Sequence, residues 1–483
     1  KEEFVKDVVE DVLQKEGEYG KTNIGDGIPV IVEFSSPNIA KPFHIGHIRS
    51  TVIGNSIYKI YDAMGYKVTR INHLGDYGTQ FGKMIVAYRR WGNEEDVKRE
   101  PIKTLLHYYT KFHVEAEKDP TLEDEARATF TRLEHGEPET MLWQWFRDES
   151  LKEFTRVYDM LGISYDSYAG ESFYSDKMPA IVEELKKKNL LVESKGAMIV
   201  DLEPYGLTPA PILKSDGSTL YITRDLACAK YRKDTYNFYK NIYVVASQQN
   251  LHFQQLKKIL ELMGYEWAKD IIHVPFGLVS LEDGTMSTRE GRVVFLEDVL
   301  NRAIAETRDI IREKGVATDN IEETAKQVGV GAVVFNELSN NRIKDYVFSW
   351  DKVLDFNGET GPYVQYTYAR SASILRNAGE EAVSKARGTI NPSYITGESA
   401  YALAKLVYKL PEVVIEAGEK YEPSIVTRHI VDIAQAFNRF YHDEHILVDN
   451  EEERSAKLAL VIAAKTAIKN GLALLGMEAP ERM

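Results

Sequence analysis

From Ile28 to Ser35 the chain reads IPVIVEFS, a β-branched apolar run that stops at two serines and a proline. A short run of this kind predicts a strand buried in a parallel sheet. The stretch from about His44 to Met64 spaces its apolar residues as a helix does and stops at Gly65. YKVTRINHLGD (66–76) then predicts a second strand running into a Gly/Asp turn. Strand, helix and strand in that order form the unit of a doubly wound sheet. Ahead of them, residues 3–14 (EFVKDVVEDVLQ) carry the apolar spacing of a helix.

Residues 92–165 change character, becoming charged, rich in Glu and Lys and helical in pattern, as expected of an insertion between two halves of a sheet. Strand-like runs return at AMIVDL (197–202), NIYVVAS (241–247) and DIIHVPFGLVS (270–280). From about Asp298 the pattern is helical, ending in long segments at 401–419, 424–442 and 451–476. The whole predicts a nucleotide-binding α/β domain, split by an insertion and followed by an α-helical domain. A length of 483 residues calls for two to four domains.

Composition narrows the function. A formal net charge of −14 excludes a generally basic nucleic-acid coat but leaves room for a local basic groove. Cys228 is the only cysteine, so an intramolecular disulfide is excluded, a zinc site built on cysteines is disfavoured, and a reducing cytoplasm fits. The most apolar stretch, LALVIAAKTAIKNGLALLG, is broken by Lys465 and Lys469, so no membrane span is expected.

The chemistry concentrates where the first predicted helix begins, in the string HIGH at His44 to His47. Free N–H groups and the helix dipole make a helix start after a strand an anion site, and ligands of open α/β sheets bind beyond the carboxyl ends of the strands. Gly46 lets a flat ring approach the backbone, His44 and His47 can donate to phosphate oxygens, and Lys41 and Arg49 add positive charge. Taken alone, two such histidines are more often ordinary first-turn residues; the strand before them and the helix after them favour the anion site. In the helical region, Tyr363, Tyr366 and Arg370 stand at i, i+3 and i+7, on one helix face. That stripe suits either core packing or stacking of splayed bases.

HIGH at a strand-to-helix turn resembles the class I aminoacyl-tRNA synthetases, and VEFSSPNIAKPFHIGHIRSTVIG is similar to arginyl-tRNA synthetases in particular. YITRD (221–225), SQQNLHF (247–253), MSTREG (286–291), TGPYVQYTYAR (360–370) and the terminal PERM match that family in order. The resemblance implies a Rossmann-like catalytic domain with a helical insertion and an all-α anticodon-binding domain at the carboxyl end. It divides the chain into a remnant or linker helix at 1–27, catalytic halves at 28–91 and 196–297, an insertion at 92–195, a helical junction at 298–355 and an anticodon domain at 356–483. Full-length members carry a further amino-terminal domain that binds the tRNA elbow, and the short lead before VIVEFSSPN, with Lys1 in place of Met, implies a trimmed chain.

The implied reaction activates arginine with ATP and moves the arginyl group to the 3′ end of arginine tRNA. Position and positive charge would do this work, without a covalent nucleophile. ATP, arginine and tRNA are the implied partners, magnesium accompanies the triphosphate, no zinc is called for, and a monomer is the family expectation. His44, Gly46, His47 and Met286 are implied at the nucleotide, with His44, His47, Lys41, Ser287 and Arg289 as catalytic groups. The family's second loop, usually written KMSKS, reads Thr285-Met286-Ser287-Thr288-Arg289 here, with threonine at both lysine positions. Lys41 is implied to supply part of the missing charge. Ser36, Asn38, Glu171, Tyr221, Asp225 and Gln249 are implied at the arginine site, since a guanidinium has only donors and requires carboxylates. Tyr363, Tyr366, Arg370 and Met483 are implied at the anticodon. The competing reading is a non-catalytic paralogue that keeps the fold as an RNA-binding module.

Overall fold

A computed structural model describes residues 1–39, 41–282, 293–316 and 318–483. Its strands are β1 (Pro29–Glu33), β2 (Lys67–Ile71), β3 (Leu191–Ser194), β4 (Ala197–Val200), β5 (Ala210–Leu213), β6 (Lys240–Val244), β7 (Ile271–Val274), β8 (Val279–Leu281) and β9 (Tyr346–Phe348). Four of them, in the order β2-β1-β6-β7, form an all-parallel sheet, with Val30 of β1 opposite Val68 of β2 and Lys240 of β6. Val30, Ile31 and Val32 are fully buried, as a central parallel strand covered on both faces requires. The predicted helix runs from Ile48 to Ala63 behind a 3₁₀ turn at Ile45–His47. Gly54 brings it against the sheet: a Cβ there would sit 2.0 Å from Cβ of Phe34.

The segment after β2 is helical, in helices that include Thr79–Trp91, Pro101–Lys118, Thr121–Glu134 and Glu139–Leu161. Two strand readings are corrected. AMIVDL does not join the central sheet: β4 is the middle of an antiparallel β3-β4-β5 meander. Lys195 and Gly196, with φ of 49° and 82°, make the two-residue turn that sends β4 straight back along β3, a connection no parallel pair can use. DIIHVPFGLVS is two strands. Pro275 has no N–H for the ladder, its carbonyl and the Gly277 N–H both bond Arg342 at 2.7 and 2.8 Å, and β8 pairs with β9 in parallel instead.

The carboxyl-terminal helices pack into one layer that includes Gly361–Ala378, Ser424–Asp443 and Glu451–Leu474. The 401–419 segment is two helices, Glu398–Tyr408 and Leu410–Lys420, because Pro411 fits the first turn of a helix and not its interior. The helix Glu2–Lys15, read as a remnant or linker, belongs to this layer. It buries Val5, Val8, Val9 and Val12, Phe4 packs edge-on to Tyr401 and Tyr408, and the Tyr19 hydroxyl donates to Val407 O at 2.8 Å.

A buried ion pair ties the HIGH helix to the helix Ile321–Ser339. Arg49 Nε donates to Glu337 Oε1 at 2.6 Å and its Nη1 to Lys344 O at 2.7 Å, while the Tyr346 hydroxyl takes the other Glu337 oxygen. Arg49 is wholly buried. The expectation that it adds charge to the anion site is therefore corrected: its donors are turned to the interior.

Candidate active site

The site is built on the loops that leave the carboxyl ends of β1, β2 and β6. Ser35 and Ser36 follow β1 with φ of 70° and 48°, left-handed values that ordinary side chains adopt at a cost of about 1 kcal/mol or more each. The first helical turns hold Ser35 there. Ser35 N donates to Ser50 Oγ at 2.9 Å, and Ser35 Oγ lies 2.8 Å from both Thr51 Oγ1 and the Tyr158 hydroxyl. Asn38 pairs with Gly75 beyond β2, where a Cβ would lie 2.0 Å from Asn38 Oδ1, so a side chain at this position would displace the Asn38 amide. Ser36 Oγ accepts the His73 N–H at 3.2 Å, which joins the loops after β1 and β2.

At the helix entrance the two histidines lock each other. His44 Nδ1 accepts the Gly46 N–H and His47 Nδ1 accepts the His44 N–H, both at 3.0 Å. Each acceptor Nδ1 assigns the proton of its neutral ring to Nε2. Burial lowers the His44 pKa below its usual range; burial, then His44, lowers that of His47 to about 3. Both rings are therefore neutral N–H donors at pH 7, not cations. Lys41, three residues before His44, is exposed and supplies the described positive charge of the turn. Met286, Ser287 and Arg289, with the rest of 283–292, lie outside the described residues.

The residues expected at the amino acid gather along the same rim. The Glu171 N–H donates to Leu74 O at 2.9 Å, which sets Glu171 beside the loop after β2. Its carboxylate lies 3.1 Å from Arg224 Nη1. Burial raises the Glu171 pKa, with Arg224 and His73 opposing. Asp225 Oδ2 pairs with His252 Nε2 at 2.5 Å. Against the burial that favours its neutral form, this bond holds Asp225 below the usual carboxylate range, and the same bond raises His252 against its own burial. Arg224, next to Asp225 in the chain, is paired with Glu171. Tyr221 opens the helix Tyr221–Tyr236 and is 70% exposed, and Gln249 is exposed at the end of the 3₁₀ turn after β6. Gln249 stands at the cap position of Asn250–Leu262 without making a side-chain capping bond.

Sequence reasoning missed the groups that hold this rim from behind. Asp76 is fully buried and accepts from Arg147 Nε at 2.9 Å, Ser172 N at 2.8 Å and Ser172 Oγ at 3.0 Å, tying the insertion to the turn that carries Glu171. The Gly/Asp turn after β2 was visible, but nothing in it told that Arg147, in a distant helix, would reach it.

In the helical layer, Tyr363, Tyr366 and Arg370 do share a face. Arg370 Nη1 donates to Asn438 Oδ1 at 2.7 Å, and Asn438 Nδ2 donates to the Tyr363 hydroxyl at 3.0 Å. The Arg370 guanidinium lies 5.0 Å from the Tyr366 ring and 5.6 Å from that of Tyr441, both exposed at the surface. Met483 follows Glu481, which Tyr368 and Lys465 hold at 2.6 and 3.0 Å. Tyr368 lies on the other side of the helix from Tyr366.

A parallel nucleotide-type sheet with an HxGH turn at its carboxyl edge, joined to an α-helical domain, is the architecture of a class I aminoacyl-tRNA synthetase. Residues 8–350 match the family model described as tRNA synthetases class I (R), catalytic domain, and residues 364–483 match the DALR anticodon binding domain. An arginine–tRNA ligase of Halothermothrix orenii is 61% identical over 484 residues, covering 100% of this chain and 85% of that protein. One of Clostridioides difficile is 60% identical with the same coverage. The arginyl-tRNA synthetase structure of Thermus thermophilus superposes with a TM-score of 0.84 at 26% identity, covering 98% of this chain and 86% of that one. That of Plasmodium falciparum gives 0.81 at 27% identity, covering 99% and 83%. The chain belongs to the arginyl-tRNA synthetase family.

Proposed function

We propose that the chain activates L-arginine with ATP and charges arginine tRNA. The arginine carboxylate attacks the α-phosphorus, pyrophosphate leaves, and the arginyl group then passes from AMP to a hydroxyl at the 3′ end of the tRNA. The observation that carries this reading is the rim itself: a neutral HxGH donor pair beside two half-buried carboxylates, Glu171 next to the loop after β2 and Asp225 in the first turns of the helix Tyr221–Tyr236. His44 and His47 donate to the nucleotide through Nε2 and Gly46 lets its flat ring approach the backbone, with Met286 assigned to the same nucleotide, while Lys41, Ser287 and Arg289 supply charge and contacts to the phosphates. Glu171, Asp225 and Tyr221 take the guanidinium of arginine, and Ser36, Asn38 and Gln249 take its α-amino and α-carboxyl end. Fixed donors aimed at developing charge act chiefly by preorganisation.

Magnesium enters with the triphosphate as part of the substrate. Backbone N–H groups occupy both Nδ1 atoms of His44 and His47, so the turn offers donors suited to phosphate oxygens and not ligands for the ion; no zinc is required. We assign 28–91 and 196–297 to the catalytic halves, 92–195 to the insertion, 298–355 to the junction and 356–483 to the anticodon domain, with Tyr363, Tyr366, Arg370 and Met483 at the anticodon. The helix Glu2–Lys15 is counted with the last of these. No described helix is long and apolar enough to cross a membrane; a cytoplasmic monomer is the form proposed.

The test is arginine-driven ATP–pyrophosphate exchange with and without arginine tRNA, using lysine and citrulline as controls. Exchange with arginine and tRNA together is expected. Silence at saturating tRNA, with arginine and ATP bound, favours the non-catalytic paralogue.

A further inference from the structure

Arg224 is a guanidinium built into a site meant for one. It touches Glu171 through a single approach, 3.1 Å from Nη1 to Oε1, whereas Arg70 elsewhere grips Asp166 as a fork at 3.1 and 2.9 Å. Its Nε and Nη1 are buried without a hydrogen-bond partner among the described residues. Two rings hold the group instead: the guanidinium carbon lies 5.0 Å from the Tyr77 ring and 5.5 Å from the Tyr221 ring. A carboxylate offers about four lone-pair positions, and this oblique contact leaves most of them unused.

The groups facing Glu171 come from each neighbouring element: His73 and Asp76 from the loop after β2, and Arg224 and Asp225 from the helix Tyr221–Tyr236. Asp76 is taken by Arg147 and Ser172, and Asp225 by His252. Among the described residues Arg224 is thus the one permanent cation paired with Glu171.

We infer that Arg224 is a positioning residue for substrate recognition: its stacked guanidinium keeps the Glu171 carboxylate ionised and aimed, and leaves the remainder of that carboxylate for the guanidinium of the arginine substrate. The inference rests on the reading of Glu171 as a substrate partner. Without Arg224, burial and the two neighbouring carboxylates favour protonated Glu171, which has lost an acceptor. Loss of the opposite charge moves Glu171 further toward its neutral form, so arginine binding weakens by about tenfold at the acid end of the range and recovers as pH rises.

The experiment measures arginine KM and kcat in aminoacylation at saturating ATP and tRNA, from pH 6.5 to 8.5, for the wild type and R224Q, R224K and E171Q. R224Q is expected to raise KM about tenfold at pH 6.5 and less than about threefold at pH 8.5, with kcat nearly unchanged. R224K restores the charge without the stacked plane, and its KM penalty is expected to be small and independent of pH. A KM for R224Q at or below the wild-type value, or raised equally at every pH, overturns the inference. If R224Q does not fold by circular dichroism, R224K decides: a KM that climbs toward low pH overturns the role, and a flat profile supports it. E171Q separates the two layers, because an unchanged KM in that variant refutes the reading of Glu171 itself, whatever Arg224 does.

Discussion

The locked histidine pair makes stability depend on pH in a direction that can be worked out. His47 has a folded pKa of about 3 against an ordinary 6.5, with burial as the main cause. A depressed histidine pKa means that the unfolded chain binds the proton more readily between those values, so stability is full above pH 6.5 and is lost as pH falls toward 3. One proton per molecule corresponds to about 1.4 kcal/mol per pH unit, which gives His47 about 2 kcal/mol between pH 7 and pH 5. H47N keeps an acceptor oxygen close to the place of Nδ1, for the His44 N–H, and removes the titration. Urea unfolding at pH 5, 6, 7 and 8 is expected to show the wild type losing about 2 kcal/mol more than H47N on acidification. Parallel curves for the two proteins refute the reasoning, as does a ¹³C-histidine resonance of His47 that titrates near pH 6.5.

Because the rings are uncharged, Lys41 should carry much of the charge on the phosphates. K41A is expected to slow arginine activation by about 10²–10³-fold while calorimetry finds arginine binding within about twofold of wild type; an unchanged rate sinks that role. R49M leaves Glu337 buried without its partner and should cost about 3–5 kcal/mol of stability, much of it returned in R49M/E337L; a larger effect on ATP KM than on unfolding would restore Arg49 to the anion site. Y366A should weaken tRNA binding by about 1–3 kcal/mol, the worth of one stacked base, with arginine KM intact, as read by filter binding and steady-state charging.

The elements that local pattern can specify were legible. β1, the HIGH helix and β2 lie where their hydrophobic runs and the closing Gly65 put them, and the histidines stand at a helix start, because strand and helix periods are written into consecutive residues. Errors arose where a local run had to choose its partners. AMIVDL is as strand-like as any segment, yet the Lys195–Gly196 turn commits it to β3 and withholds it from the central sheet. Pro275 divides a run whose apolar residues continue past it. A helical period at 3–14 said that a helix exists and not that it packs on Tyr401 and Tyr408, hundreds of residues away.

Arg49 and Arg224 show the same division at the site. Both stand in motifs as charged residues near a binding loop, and the sequence alone offers Arg49 to the anion site and assigns Arg224 no role. Burial decides otherwise: Arg49 turns inward to Glu337, and Arg224 takes Glu171 while Asp225 goes to His252. The residues by themselves determined which chemistries were on hand, donors for phosphate and carboxylates for a guanidinium, because side-chain chemistry is a property of the residue alone. Their ionisation and their partners were decided only by the tertiary structure, since desolvation and pairing are properties of the space that surrounds a group.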